Sequence, residues 1–286
     1  MLSAIALLAA AAAATPPPPA PKAWEAVEAD WVAIPDDELL VMTLAGDRRV
    51  FIRLAPRQAP VHVENIRKMA RAGWWDGTSV YRVQDGWVAQ WGGGAADKAE
   101  LPGIVAQPPA EYDIAAFDPV HRLTRSDAYS TASGVSADGW PIATDGKAAW
   151  LTHCYASVGV ARGADPDTGS GAELFTVIGQ AARRLDRNYA MVGRIVAGME
   201  YLSALPRSSA EMGFYEKAQD RAPILSVRLA ADMPAATRPH YQYRAPGNAR
   251  FSALIARKEN PPPPTIGLGG ADICDIPLEV RATPVK

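Results

Sequence analysis

The chain has 286 residues, 48% of them hydrophobic and 21% charged, and a formal net charge of −2. That length suits one large domain or a domain with an extension, and the charge lacks the basic surplus with which proteins meet nucleic acid. With 25 prolines, 23 glycines and only short helical runs, the composition is that of a β-rich α+β protein with many loops; its two cysteines, Cys154 and Cys274, have no metal-ligand spacing, and neither a metal nor a cofactor is expected.

Leu2 to Ala14 is almost wholly small and apolar, and Thr15 to Pro21 is proline-rich. The apolar run falls short of the roughly 20 residues that span a bilayer. It suits a signal-peptide core with Ala-x-Ala cleavage choices near Ala13 and Ala14, although no Lys or Arg precedes it. Residues 1–21 therefore read as a signal peptide and a stiff proline spacer, the alternative being a disordered alanine-proline leader. Export to the periplasm or the medium, with no stable membrane insertion after cleavage, follows from the first reading. In an oxidising compartment Cys154 and Cys274 either pair or stand as a buried thiol and an unrelated tail thiol.

The folded part is expected from Trp31. Leu39 to Leu44 and Val50 to Leu54 read as strands around a turn at Gly46-Asp47, with Val50, Ile52 and Leu54 alternating with Phe51 and Arg53. A helix opens at Pro60 and closes at Gly73, with Val63, Ile66 and Ala70 on one face, Met69 beside them, and His62 next to the stripe as a surface residue. Ser79 to Gly94 is a strand, a turn at Asp85-Gly86, a second strand and a glycine run. Its Arg82 sits in an otherwise apolar segment, where a charge needs a partner or a purpose. From Ala95 to Leu151 the periodicity fails, and so long a run without elements reads as an insertion, a lid or a mobile segment. Cys154 to Arg162 is a small-residue strand, Asp165 to Gly171 a loop, and Pro223 to Leu229 a last strand with Leu225, Val227 and Leu229 on one face. Beyond Ala230 a short helix at Ala249 to Lys258 and a strand at Asp275 to Val280 are expected.

Several of these segments resemble the cyclophilins, the peptidyl-prolyl cis-trans isomerases. Val80-Tyr81-Arg82-Val83 with Gly86-Trp87-Val88-Ala89-Gln90-Trp91-Gly92 is similar to their Phe-His-Arg-Val and Gly-Phe-Met-x-Gln-Gly-Gly. Val63-Glu64-Asn65-Ile66 resembles Val-x-Asn-Phe, and Trp75-Asp76-Gly77-Thr78 resembles Tyr-Asp-Gly-Thr. Glu173-Leu174-Phe175-Thr176, Leu185-Asp186-Arg187-Asn188-Tyr189 and Val192-Gly193-Arg194-Ile195 follow in the family's order, and Pro109-Ala110-Glu111-Tyr112 faintly resembles an edge strand of bacterial members. The resemblance spans Leu39 to Leu229 apart from the insertion.

The resemblance implies a closed antiparallel β-barrel of about eight strands capped by two helices, within a domain over 31–230 that carries an insertion at about 95–151 and a C-terminal extension over 231–286. It implies isomerisation of X-Pro bonds in unfolded or extended proline-containing polypeptides of exported proteins, by a monomer; the alternative is a catalytically weak proline-peptide-binding module. Arg82 would be the catalytic donor. Trp87, Val88, Phe175 and Leu185 would form a proline socket rimmed by Tyr189, Gln90 would orient Arg82 or bind substrate backbone, and the backbone at Ala161 and Arg162 would dock the residue before proline. Glu173 replaces a glutamine, so its carboxylate is placed to pair with Arg82 and compete with substrate. Val88 replaces a longer methionine, Trp91 a glycine, and Arg184 stands at the family's rim tryptophan. A hydrolase built on His153-Cys154 is disfavoured, because strand neighbours point to opposite faces, and neither G-x-S-x-G nor H-E-x-x-H occurs.

Overall fold

The computed structural model describes residues 21–93 and 101–283; the leader over 1–20 and the start of the segment from Ala95 lie outside the described residues. After β1 (Trp31–Ala33) come β2 (Leu39–Leu44) and β3 (Arg48–Leu54), a hairpin whose turn places Gly46 and Asp47 at positive φ. Helix α1 (Pro60–Arg71) leads to β4 (Ser79–Val83) and β5 (Val88–Gly93). Next are β6 (Pro119–Arg122), β7 (Ala132–Ser136), β8 (Pro141–Thr144) and β9 (Ala149–Leu151), then β10 (Ser157–Val160), β11 (Leu174–Val177) and β12 (Met191–Ala197). The one-turn helix α2 (Glu200–Ser203) precedes β13 (Ala222–Leu229), and the chain ends in β14 (Tyr241–Arg244), α3 (Ala249–Glu259) and β15 (Val280–Ala282).

Eight strands close into an antiparallel barrel in the order β10-β11-β5-β4-β13-β2-β3-β12, with β12 returning to β10. Closure leaves no barrel edge free for another chain. The inward residues of these strands pack with Val63, Ile66 and Met69 of α1 and Leu202 of α2 into one core, in which Trp75 and Trp91 are fully buried. Each such aliphatic side chain contributes about 1.5–3 kcal/mol when withdrawn from water. Helix α1 stops as Gly73 turns to positive φ, with Gly73 N–H donating to Ala70 O and Trp74 N–H to Met69 O, the Schellman arrangement. On β13 the pairing with β2 slips between Ile224 and Ser226, so Ile224 and Val227 both face inward and Leu225 is 54% exposed, not on one face with Val227 and Leu229 as expected.

The segment expected to lack elements holds a four-stranded antiparallel sheet, β6-β7-β8-β9. Its alternation is short and broken by prolines, and both faces find cover. Leu123 and Val135 join Phe251, Leu254 and Ile255 of α3 with Ile273 and Ile276 in a second apolar cluster. Cys154 and Cys274 are joined by a disulfide, their Cα atoms 5.2 Å apart, which fastens the C-terminal segment to the barrel. A three-stranded sheet, β1-β14-β15, lies over the outer face of β3, where Phe51 meets Tyr241 and the buried Arg53 sits between the rings of Tyr243 and Trp140. The last strand falls at Val280–Ala282, later than expected, because Ile273–Asp275 forms a single turn of 3-10 helix.

His62, expected at the surface, is 0% exposed. Glu111 reaches the start of α1 and accepts from Val61 N–H (2.8 Å), His62 N–H (3.0 Å) and the His62 ring at Nδ1 (2.6 Å). Ala59, before the helix, offers no capping side chain, so this distant carboxylate satisfies donors that a local Ser or Asp would otherwise take. Glu111 thus caps a helix and forms no edge strand. Burial alone would push its pKa up, but the His62 ring and the two N–H groups overcome this and hold it below the ordinary carboxylate value.

Two outcomes are expected. Glu111→Ala should lower stability by about 1–3 kcal/mol in urea unfolding at neutral pH. In the wild type this contribution is complete above the unfolded-state pKa of about 4.3 and fades as pH falls through the lower folded value, so the two proteins should converge in acid. Cys274→Ser, opening a loop of 120 residues, should cost about 2–4 kcal/mol in the same measurement.

Candidate active site

The barrel's lateral register places five residues in one row across its outer surface. Gly159 on β10 pairs with Phe175 on β11, Phe175 with Gln90 on β5, Gln90 with Arg82 on β4, and Arg82 with Phe214 in the connection that follows α2. Gly159 makes room for its neighbour: a Cβ there would stand 2.4 Å from Phe175 Cζ, so the phenylalanine ring lies across the glycine. Behind that ring stacks His153, and Tyr189 meets it edge-on with centroids 5.4 Å apart. Val88, Phe175 and Leu185 are buried in a local apolar cluster with Val177 and Ala182, against which Trp87, Ala161 and Tyr189 pack. Above them opens a cavity of about 220 Å³.

Leu185 and Tyr189 hold their places through Asp186 between them. Its carboxylate accepts from His153 N–H (2.8 Å), Trp150 Nε1 (3.0 Å) and Arg183 Nε (2.6 Å), and Arg183 also binds Asp127. Cys154 is spent in the disulfide and His153 is buried behind the phenylalanine, so the pair offers no nucleophile. Arg162 folds back on the same loop, donating to Asn188 O (2.9 Å) and Asn188 Oδ1 (2.5 Å) with its guanidinium over the Tyr189 ring.

Arg82 is half-buried and held by three acceptors: Met212 O from Nε (2.7 Å), Gln90 Oε1 from Nη1 (2.9 Å) and Gln84 Oε1 from Nη2 (2.5 Å). Burial pushes its pKa down from the ordinary arginine value, though arginine remains a cation in proteins. Gln90 cannot flip, because its amide nitrogen donates to the Tyr81 hydroxyl while its oxygen faces Arg82. Tyr81 in turn donates to Glu173 Oε2 at 2.6 Å. Burial, with the Glu173 carboxylate beside it, pushes the Tyr81 pKa up, so the hydroxyl keeps its proton.

Arg82, Trp87, Val88, Gln90, Ala161, Arg162, Phe175, Leu185 and Tyr189, singled out in the sequence, all line the cavity. Glu173 does not. Its carboxylate turns to Tyr81 and Gln90, and the competition with Arg82 expected of it is replaced by an indirect link through Gln90. Ala161 donates its N–H to Glu173 O, so that donor is not open to a ligand. Met212 and Phe214 line the cavity beyond Arg82 and were not anticipated. Their one signal is an apolar pair around Gly213 in an otherwise polar connection, Pro206 to Pro223.

A family model described as cyclophilin type peptidyl-prolyl cis-trans isomerase/CLD matches residues 39–229. The chain belongs to this family. Curated relatives include two probable peptidyl-prolyl cis-trans isomerases, from Brucella suis biovar 1 and Brucella melitensis biotype 1, each 24% identical over 211 residues that cover 72% of this chain and 89% of the relative. Among solved structures, cyclophilin AquaCyp293 from Hirschia baltica superposes with a TM-score of 0.70 at 24% identity, covering 90% of this chain and 96% of its own, a likeness of fold. As a cyclophilin-type isomerase the chain is matched from the first strand of the barrel, β2, to its last, β13.

The packing of Phe175 against Gly159 gives the cavity its depth. Gly159→Ala should force the ring outward, at a stability cost of about 1–3 kcal/mol from overpacking. Urea unfolding of the variant at neutral pH should register that loss.

Proposed function

We propose that the chain is an exported prolyl isomerase that turns X-Pro bonds of extended or unfolded polypeptides and so assists their folding, with Arg82 as the catalytic residue. Rotation about the amide must surrender resonance worth about 18–20 kcal/mol at the barrier, and the prolyl nitrogen then regains its lone pair. A fixed donor aimed there stabilises that state more than the planar ground state. Arg82 has five N–H groups. Met212, Gln90 and Gln84 take three of them, which leaves donors for a ligand in the cavity and fixes the plane from which they project.

The observation that carries this reading is the register that sets Arg82 beside an open apolar cup. Val88, Phe175 and Leu185 would hold the five-membered ring, with Trp87 and Tyr189 at the rim, while the chain on the other side of the bond turns. Gln90 would orient Arg82. Since the Ala161 N–H is already paired, the residue before proline would dock on the Arg162 backbone. No nucleophile, metal or cofactor takes part in such a rotation.

Support for export comes from the apolar leader, Leu2 to Ala14, and from the disulfide, a bond of oxidising compartments. Among the described residues no helix is long and apolar enough to cross a membrane. Residues 31–230 would form the catalytic domain with 95–151 inserted and 231–286 appended, since residues of the latter two share an apolar cluster separate from the barrel core. The working unit would be a monomer that does not engage nucleic acid. A binding module without turnover is the second reading, favoured by the three internal partners that already occupy Arg82.

Exchange spectroscopy on a proline peptide separates the two. The wild type should accelerate isomerisation; Arg82→Ala should reduce kcat/KM by on the order of 100-fold, as removal of one charge-stabilising donor does elsewhere. Arg82→Lys should restore little, having charge without the planar fork. Loss of the three hydrogen bonds should lower the stability of Arg82→Ala by about 1.5–4.5 kcal/mol, so its turnover is read under conditions where urea unfolding shows the variant folded. Wild-type binding without acceleration would replace the enzyme reading by the binding module.

A further inference from the structure

Beyond Arg82 the row of site residues does not end in solvent. Phe214 continues it, 39% exposed, with Met212 beside it at 55%, and both border the cavity. Two large apolar side chains exposed at the mouth of a cavity that also holds an apolar cup extend its apolar lining to the outer side of Arg82.

The segment that presents them is held tightly against β4. Tyr215 N–H donates to Tyr81 O (2.9 Å) and Ser208 N–H to Val83 O (3.2 Å), so the connection occupies the outer edge of β4 where β13 no longer pairs with it. Gly213 approaches so closely that a Cβ there would stand 2.6 Å from Gln84 Cα, and its φ of +80° suits glycine alone. Ser208 Oγ donates to Phe214 O at 2.7 Å. The Phe214 ring stacks on Tyr81, centroids 5.9 Å apart, and lies 5.2 Å from the Arg82 guanidinium. This is a fixed wall: the ring is braced by Tyr81 and Arg82 and remains partly exposed beside the cavity.

We propose that Met212 and Phe214 form a ledge that selects the residue after the proline, favouring an aromatic or large aliphatic side chain. The inference rests on the isomerase reading for its polarity: with the ring in the cup, the nitrogen at Arg82 and the preceding residue at Arg162, the following residue leaves across Arg82 onto the ledge. An aromatic side chain there removes apolar area from water and stacks on Phe214.

The test is a set of Ala-Xaa-Pro-Yaa peptides, with Yaa as Phe, Leu, Ala or Glu and Xaa varied separately, followed by exchange spectroscopy for turnover and calorimetry for binding. Wild type should prefer Phe over Ala at Yaa by on the order of tenfold, carried mainly by KM. Phe214→Ala should reduce that ratio to about twofold or less, Phe214→Tyr should restore it, and Met212→Ala, at an exposed side chain, should reduce the Leu preference. A ratio that survives both alanine variants, or a loss of discrimination at Xaa instead of Yaa, overturns the ledge. Binding with the same Yaa preference but without turnover supports the ledge while rejecting the isomerase reading, so the two failures remain distinct.

Discussion

A half-buried guanidinium held in one orientation is the constraint on which the candidate site depends. Left mobile, Arg82 would give up side-chain entropy each time a ligand bound, and its donors would point at water between encounters. Three acceptors from two parts of the chain remove that freedom in advance: Gln84 and Gln90 on its own hairpin, and the Met212 carbonyl from the connection before β13. Preorganisation of this kind is what lets a donor act on developing charge without further rearrangement. All three acceptors are neutral, so the positive charge is positioned without being neutralised.

Glu173 shows why that neutrality matters. A carboxylate in direct contact with Arg82 would stabilise the cation but take its donors, and a ligand would have to displace it. The ladder puts Phe175, not Glu173, opposite Gln90, and the Tyr81 hydroxyl captures the carboxylate. Tyr81 and Gln90 therefore relay the anion's influence at second hand: the charge fixes the hydroxyl, the hydroxyl fixes the amide, and the amide fixes the guanidinium. A glutamine at that position would hold the same geometry with a weaker, neutral acceptor.

Much of this was legible in the sequence. Strand alternation gave the β2–β3 hairpin, Pro60 and Gly73 the bounds of α1, and the likeness of the ordered short motifs to the cyclophilins implied the barrel and the nine residues that line one cavity. Local pattern carries that information because each motif sits within a single hairpin or loop. The misses share a different cause. Glu111 meets His62 across 49 positions and Arg82 meets Met212 across 130; the two cysteines, whose pairing the sequence left open, are 120 apart. None of these pairs leaves a periodic trace, since each needs only one residue at the right place once the barrel has closed. Leu225 failed for a related reason: a slipped register inverts the face of every residue before it, and the slip is set by the partner strand β2.

The material outside the barrel also bears on the site through fixed contacts. Asp127, from the segment between β6 and β7, clasps Arg183, whose other partner is the Asp186 that holds Leu185 and Tyr189 in place. Trp150 on β9 reaches the same carboxylate. The extra sheet is fastened in turn by α3 and the tail through their common apolar cluster, and the disulfide fastens the tail to the residue next to His153, which backs Phe175. The far wall of the cup leans on a buried ion cluster, and that cluster on a second hydrophobic core. The arginine side is braced differently, by backbone pairing of the 206–221 connection to β4. The two walls therefore rest on different supports outside the barrel and meet in its ladder, where Phe175 pairs with Gln90 and Gln90 holds Arg82.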